Sequence, residues 1–210
     1  MPSCCDPRAY ERLFDAAAAR RDAARYRRKG LGNPARRLLG FLRGRVAGAT
    51  VLEAGGGVGD LGIELLRAGA AHATNVELAR TYEDEARALL AERGLAERVT
   101  REIGDFAVLA GEPADVVVLN RVLCCYPDAR AILRAAAARA SALVALSLPR
   151  DDWWMRLGAT LCNPVASLRY RGWRFEVHRL ALVRGELARA GFREAATHQG
   201  LVWRSFLFER

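Results

Sequence analysis

With 210 residues, 51% of them hydrophobic, the chain is long enough for one substantial core, short for two, and too apolar to be mainly disordered. Its formal net charge is +9, but Lys29 is the single lysine and the arginines are spread along the chain, so the charge reads as an arginine- and alanine-rich composition rather than a nucleic-acid footprint. No run of about 18 uncharged apolar residues is present, which excludes a transmembrane helix. Asp6, Arg8, Glu11 and Arg12 stand where a secretory leader needs an apolar core, so a cytoplasmic protein is expected.

Residues 1–48 read as a helical cap. Tyr10, Leu13, Phe14, Ala17 and Ala18 recur at helical spacing and predict one amphipathic helix; a second stretch covers residues 20–28 before Gly30 and Gly32 stop it. Tyr26, Arg27 and Arg28 on that stretch are candidate lid residues. Asn33-Pro34 opens a third helix, ending near Gly44.

Residues 49–52 then form a short apolar strand, residues 53–60 read Glu-Ala-Gly-Gly-Gly-Val-Gly-Asp, and residues 61–67 return to helical spacing. Strand, glycine turn and helix in that order make a pocket floor, because glycine lets backbone lie directly against a ligand and the helix start offers free N–H groups. The dinucleotide fingerprint fails, since Asp60 stands where its third glycine belongs, and no Gly-Lys-Ser/Thr follows to make a phosphate loop. Glu53 is the distinctive residue. A carboxylate there repels a pyrophosphate but attracts an ammonium group, which fits an adenosine cofactor with an amino-acid head and no phosphate.

A second strand over residues 73–78 ends in Glu77-Leu78. A helix near 81–93 and a third strand over 98–103 lead to Gly104-Asp105-Phe106, and residues 114–120 form a continuous apolar strand closed by Asn120. The segment Arg121-Val122-Leu123-Cys124-Cys125-Tyr126-Pro127-Asp128 follows at a strand's carboxyl end, where parallel sheets place ligand-lining loops. A helix to Arg139 and a strand over 141–148 come next. Residues 149–174 exceed an ordinary connection and carry Trp153, Trp154, Tyr170 and Trp173 among arginines. A helix near 152–170 is expected there, broken or kinked at Asn163-Pro164; stacking and charge would suit a flat or anionic acceptor. A helix over 179–190 and strands over 192–198 and 201–209 complete the chain.

Glu53-Ala54-Gly55-Gly56-Gly57-Val58-Gly59, followed in order by Glu77, by Gly104-Asp105-Phe106 and by Asn120, resembles the class I S-adenosylmethionine-dependent methyltransferases. Within that family the chain is most similar to small bacterial methyltransferases related to magnesium-protoporphyrin IX O-methyltransferase. The resemblance implies an α/β, Rossmann-like, seven-stranded mixed sheet with an antiparallel last strand and helices on both faces. It implies one domain over 1–210: a helical cap (1–48), a cofactor core (49–148), an acceptor-covering insertion (149–178) and a helix with a strand pair (179–210). It implies S-adenosyl-L-methionine as cofactor, leaving as S-adenosyl-L-homocysteine. Glu53, Gly55, Gly57 and Gly59 then form the first motif, Glu77 takes the ribose hydroxyls, Leu78 lies on the adenine, Asp105 and Phe106 meet its edge, and Asn120 holds the methionyl end. Tyr26, Arg121, Cys124, Cys125, Tyr126, Trp153 and Trp154 become the candidate acceptor residues. Nucleic-acid amino-methylating relatives carry Asp/Asn-Pro-Pro-aromatic where this chain has Asn120-Arg121-Val122-Leu123, so nucleic acid is a minor alternative and a small molecule is the expected partner.

Methyl transfer from a sulfonium needs proximity and alignment, and a base only when the acceptor is protonated. Of His72, His178 and His198, His178 alone is placed to reach the pocket and is the candidate catalytic base. No strong base is otherwise visible. Acceptors that ionise readily, a thiol or a carboxylic acid, therefore fit best, the thiol slightly ahead. A phenol methylated with His178 as base and a non-catalytic cofactor-binding partner protein are the alternatives. Cys4, Cys5, Cys124, Cys125 and Cys162 lack Cys-x-x-Cys spacing, so no metal site is expected and they read as thiols; a soft-metal site made from both adjacent pairs is the sharper alternative.

Overall fold

A computed structural model describes residues 5–210. Its centre is a seven-stranded sheet of β1 (Thr50–Ala54), β2 (His72–Glu77), β3 (Val99–Ile103), β4 (Ala114–Asn120), β5 (Ala140–Pro149), β6 (Arg193–Gln199) and β7 (Trp203–Glu209), in the order β3-β2-β1-β4-β5-β7-β6. β1 to β5 run parallel, and β7 is antiparallel to both β5 and β6. The chain winds outward from β1 to β3 and restarts beside β1 with β4. That reversal opens a crevice at the carboxyl ends of β1 and β4.

The helices are α1 (Pro7–Leu13), α2 (Ala16–Lys29), α3 (Asn33–Leu42), α4 (Asp60–Arg67), α5 (Glu83–Glu92), α6 (Ala129–Arg139), α7 (Trp153–Arg169) and α8 (Leu180–Arg189). They form a core on each face of the sheet. One packs Leu38, Leu42, Leu61, Ile63 and Leu89 on one side; the other packs Ile132, Leu133, Val183 and Leu187 with Phe206 and Phe208. β4 shows why residues 116–119 are all apolar: Val116 and Val118 enter the first core, and Val117 and Leu119 the second.

Two expected elements differ. The helix expected across Tyr10 to Ala18 is two helices, because Asp15 caps α2, its carboxylate accepting the Ala18 N–H at 2.7 Å. α2 then runs unbroken to Lys29. Pro164 does not break α7. The missing ladder bond falls on a solvent-facing turn, since Thr160 and Pro164 are both exposed. Asn163 meanwhile clamps the helix to Phe175, accepting its N–H at 2.8 Å and donating to its carbonyl at 3.0 Å.

Phe206 is fully buried and packs on Phe208 with ring centroids 6.0 Å apart. Phe206→Ala is expected to lower the unfolding free energy by about 3–5 kcal/mol in urea titrations; a loss below about 1 kcal/mol would contradict this packing.

Candidate active site

The crevice is a cleft of about 370 Å³ whose floor is the loop after β1. Gly57 adopts φ +54° there, a conformation that favours glycine, and its N–H donates to Glu77 Oε2 at 2.8 Å. The other Glu77 oxygen accepts the Ala79 N–H at 2.8 Å. Burial pushes the Glu77 carboxyl up, against the pull of those two amides. Behind the loop, Arg101 donates to the Gly57 carbonyl at 3.1 Å and pairs with Glu83 at 2.9 Å. Gly56 is required for a different reason: a Cβ would lie 2.7 Å from the Glu53 carboxyl group.

Gly55, Gly57, Glu77, Leu78, Asp105, Phe106 and Asn120 all line this cleft; Gly59 stands just behind it as the left-handed cap of α4. Glu53 does not line it. The side chain turns beneath the glycine loop, 2% exposed, and accepts from Asn75 Nδ2 at 3.1 Å. Burial, reinforced by Asp60 and opposed by Arg101, pushes its carboxyl up to about 8, so it is mostly uncharged at neutral pH. In this geometry Glu53 supports the loop and does not face the cleft, unlike the ligand contact expected of it. Asp60, the next acid along, does line the cleft, and Arg25 stands 3.8 Å from it.

The cap contributes a wall, but through other residues than expected. Asp22 and Arg25 face the cleft from α2, while Tyr26, one residue further round, points into the core and donates to Glu64 at 2.6 Å. Arg27 pairs with Glu92 at 2.6 Å, and Arg28 faces solvent. A helix turns about 100° per residue, so one step separates cleft, core and surface. Tyr82 ties the wall down, its hydroxyl donating to Asp22 at 2.9 Å. Burial pushes that phenol upward.

At the far end, Asp105 accepts the Tyr126 hydroxyl at 2.8 Å and the Ala107 N–H at 2.9 Å, and the Arg139 guanidinium covers the Phe106 ring at 3.7 Å. Ser147, fully buried on β5, fixes the loop after β4: its hydroxyl donates to Asn120 Oδ1 and accepts the Arg121 N–H, both at 2.9 Å. Arg121 adopts φ +61°, uncommon for a side chain of this size, and its guanidinium sits 5.2 Å over the Trp203 ring. Cys124 and Cys125 line the cleft with sulfurs 3.6 Å apart. Their mutual hydrogen bond and burial push the Cys125 thiol well above its usual range.

Trp153 and Trp154 are exposed and lie outside the cleft; its aromatic wall is Trp173, Phe175 and Trp203. His178 also lies outside the lining, with Nε2 2.9 Å from the Tyr126 carbonyl oxygen, so that nitrogen donates rather than serving as a base. The Cys5 thiol is 3.3 Å from the Tyr10 hydroxyl, which donates to the Cys125 carbonyl; Cys4 lies outside the described residues. Among the described residues no group of three or more His, Cys, Asp or Glu is arranged to hold a metal ion. Arg25, Arg101, Ser147, Phe175 and Trp203 were not singled out by the sequence; only the arginine spacing on α2 offered a signal.

A family model described as a methyltransferase domain matches residues 23–201. Among solved structures, the chain is similar to magnesium protoporphyrin IX methyltransferase from Synechocystis PCC 6803 with bound SAH, at a TM-score of 0.71 and 24% identity over 97% of each chain. The same enzyme with bound SAM gives a TM-score of 0.72 at 22% identity, over the full length of both chains. An O-methyltransferase family protein from Burkholderia thailandensis gives 0.73 at 20% identity, covering 96% of this chain and 62% of that one. At these identities the likeness is one of fold. Among curated proteins none matches the chain in sequence.

The buried Glu53 makes stability depend on pH. Its folded pKa of about 8 lies above the unfolded value of about 4.3, so its contribution is complete below about pH 4.3 and lost as pH rises towards about 8. Relative to Glu53→Gln, the parent should lose up to ~1.4 kcal/mol per pH unit in that window and level off above it. Paired thermal melts check this; parallel pH profiles for the two proteins would contradict it.

Proposed function

This chain belongs to the methyltransferase domain family, and on that premise we propose that the cleft binds S-adenosyl-L-methionine and directs its methyl group to a small-molecule acceptor bearing an ionisable thiol or carboxylate. The observation that carries the reading is Glu77, an acid held by Gly57 and Ala79 N–H groups at the cleft wall, where it offers a fixed acceptor for a ribose diol. The other residues fit the same group. Leu78 and Phe106 give an apolar slot for the adenine, with Asp105 at its edge. Asp22, Arg25 and Asp60 offer both signs of charge to an amino-acid head, and the buried Arg25 Nε, 3.8 Å from Asp22, makes no hydrogen bond among the described residues. When bound, the sulfonium supplies an electrophilic methyl group and leaves as a neutral thioether.

The protein's own part is positioning. Ser147 holds Asn120 and the Arg121 backbone, so the loop after β4 presents one shape to the acceptor. Trp173, Phe175 and Trp203 offer flat apolar faces, and Arg121 a cation beside them. Among the described residues no histidine faces this end: His178 is turned to the Tyr126 carbonyl, and the Cys124 hydrogen bond and burial hold the Cys125 thiol well above its usual range. An acceptor that ionises unaided, and whose anion Arg121 favours, suits these surroundings. This supports a thiol or carboxylate over a phenol.

Glu77→Ala should weaken S-adenosylhomocysteine binding roughly tenfold to a hundredfold in calorimetry; unchanged affinity would sink the cofactor assignment. Among thiols, carboxylates and phenols tested for cofactor consumption, the first two should turn over, and His178→Ala should retain their rate. Turnover of phenols alone, lost in His178→Ala, would favour the base-assisted reading. Silence across all three with binding intact would favour a non-catalytic partner protein.

A further inference from the structure

Among the α-helices of the described residues, α7 alone has no fully buried side chain. Trp153, Trp154, Leu157, Leu161, Val165 and Leu168 are all exposed, Trp153 at 75% and Leu168 at 88%. At about 100° per residue these six fall within an arc of about 120°. The remaining turn of the helix, carrying Arg156 and Asn163, faces the body of the protein, where Arg156 donates to the Asp151 carbonyl at 3.1 Å and Asn163 clamps Phe175. The apolar stripe is therefore directed outward by the docking of the opposite face. Leu201 and Val202, in the turn between β6 and β7, extend it: both are exposed, and the Val202 carbonyl accepts the Arg150 N–H at 2.9 Å just before α7 begins.

The charge beside this stripe has one sign. From Trp153 to Phe175 there is no acidic residue, while Arg156, Arg169, Arg171 and Arg174 are present. Among the described residues none of these four forms an ion pair; Arg169, Arg171 and Arg174 are exposed. An outward tryptophan and leucine stripe with the exposed Arg169, Arg171 and Arg174 following it matches a helix lying in the plane of a bilayer surface, with the apolar face among acyl chains and those three arginines at the headgroups. None of the described helices is long and apolar enough to cross a membrane, so lying along it is the mode available.

We propose that α7, with the Leu201–Val202 turn, docks the protein on an anionic lipid surface. The same stretch leads into the cleft: Phe175 is both the partner of Asn163 and part of the aromatic wall, and the Glu176 N–H donates to the Cys124 carbonyl at 2.7 Å. The acceptor end of the cleft is thereby built from the same stretch of chain that carries the docking face.

Flotation of the full-length protein with phosphatidylcholine vesicles, and with phosphatidylcholine–phosphatidylglycerol vesicles, tests this at low and high salt. The mixed vesicles should bind it at least roughly tenfold more tightly, and salt should weaken that binding. Leu161→Gln with Leu168→Gln should cost roughly tenfold. Arg169→Gln, Arg171→Gln and Arg174→Gln together should cost on the order of a hundredfold at low salt. Circular dichroism and S-adenosylhomocysteine affinity should match the parent in both variants. Absence of binding to the mixed vesicles would overturn the proposal, as would equal binding to phosphatidylcholine alone. A concentration-dependent dimer in sedimentation, dissolved by L161Q/L168Q, would also overturn it and give the face to a second copy of the chain.

Discussion

The cleft depends on a carboxylate taken out of water at the end of β2. Glu77 receives amide protons from both the glycine loop and the turn after its own strand, so two backbone segments share one anchor. Burial disfavours its charge, and the two amides return part of that cost. Arg101 acts from the opposite side on the same loop, pulling the Gly57 carbonyl while Glu83 balances its charge. Gly57 is thus held at its N–H and at its carbonyl by ionic groups, which preorganises the floor without help from a ligand.

A second layer lies under the first. Glu53 and Asn75 form a buried polar pair beneath Gly56, and the lack of a Cβ there lets the loop rest on them. An acid that reads in sequence as a ligand contact is, in the fold, part of the support. Ser147 plays the matching role across the switch point, coupling β5 to the loop after β4 through a single hydroxyl. The two ends of the cleft are therefore fixed by different strands, one by β2 and one by β5.

The order of elements around the glycine loop was legible because each motif is local: strand, turn and helix follow within a few residues, and Glu77 ends its own strand. What stayed hidden is rotational. Glu53 at a strand end and Tyr26 on a helix are each one step from a different face, and sequence does not say which face the neighbouring layer covers. The same ambiguity made Trp153 and Trp154 look equivalent to Trp173, although only Trp173 lines the cleft. Arg101 was hidden for another reason: its partners, Gly57 and Glu83, lie 44 and 18 residues away, and nothing in β3 alone marks it. Pro164 misled because proline's helix-breaking effect is weighed without the Asn163 clamp that offsets it.

The roof of the cleft is built from small side chains. α2 buries Ala18, Ala19 and Ala23 with Tyr26, and α1 buries Ala9 and Tyr10, so little apolar area holds either helix down. Polar ties do much of the rest: Tyr82 to Asp22, Thr81 to the Phe14 carbonyl, Tyr10 to the Cys125 carbonyl. Such a layer opens locally at far lower free energy than the sheet beneath it, and its amides exchange with solvent while those of β4 remain protected. Because Tyr10 and Leu13 of α1 and Asp22 and Arg25 of α2 line the cleft, fraying of this layer opens the way to its floor, and access to the cleft is governed by the roof.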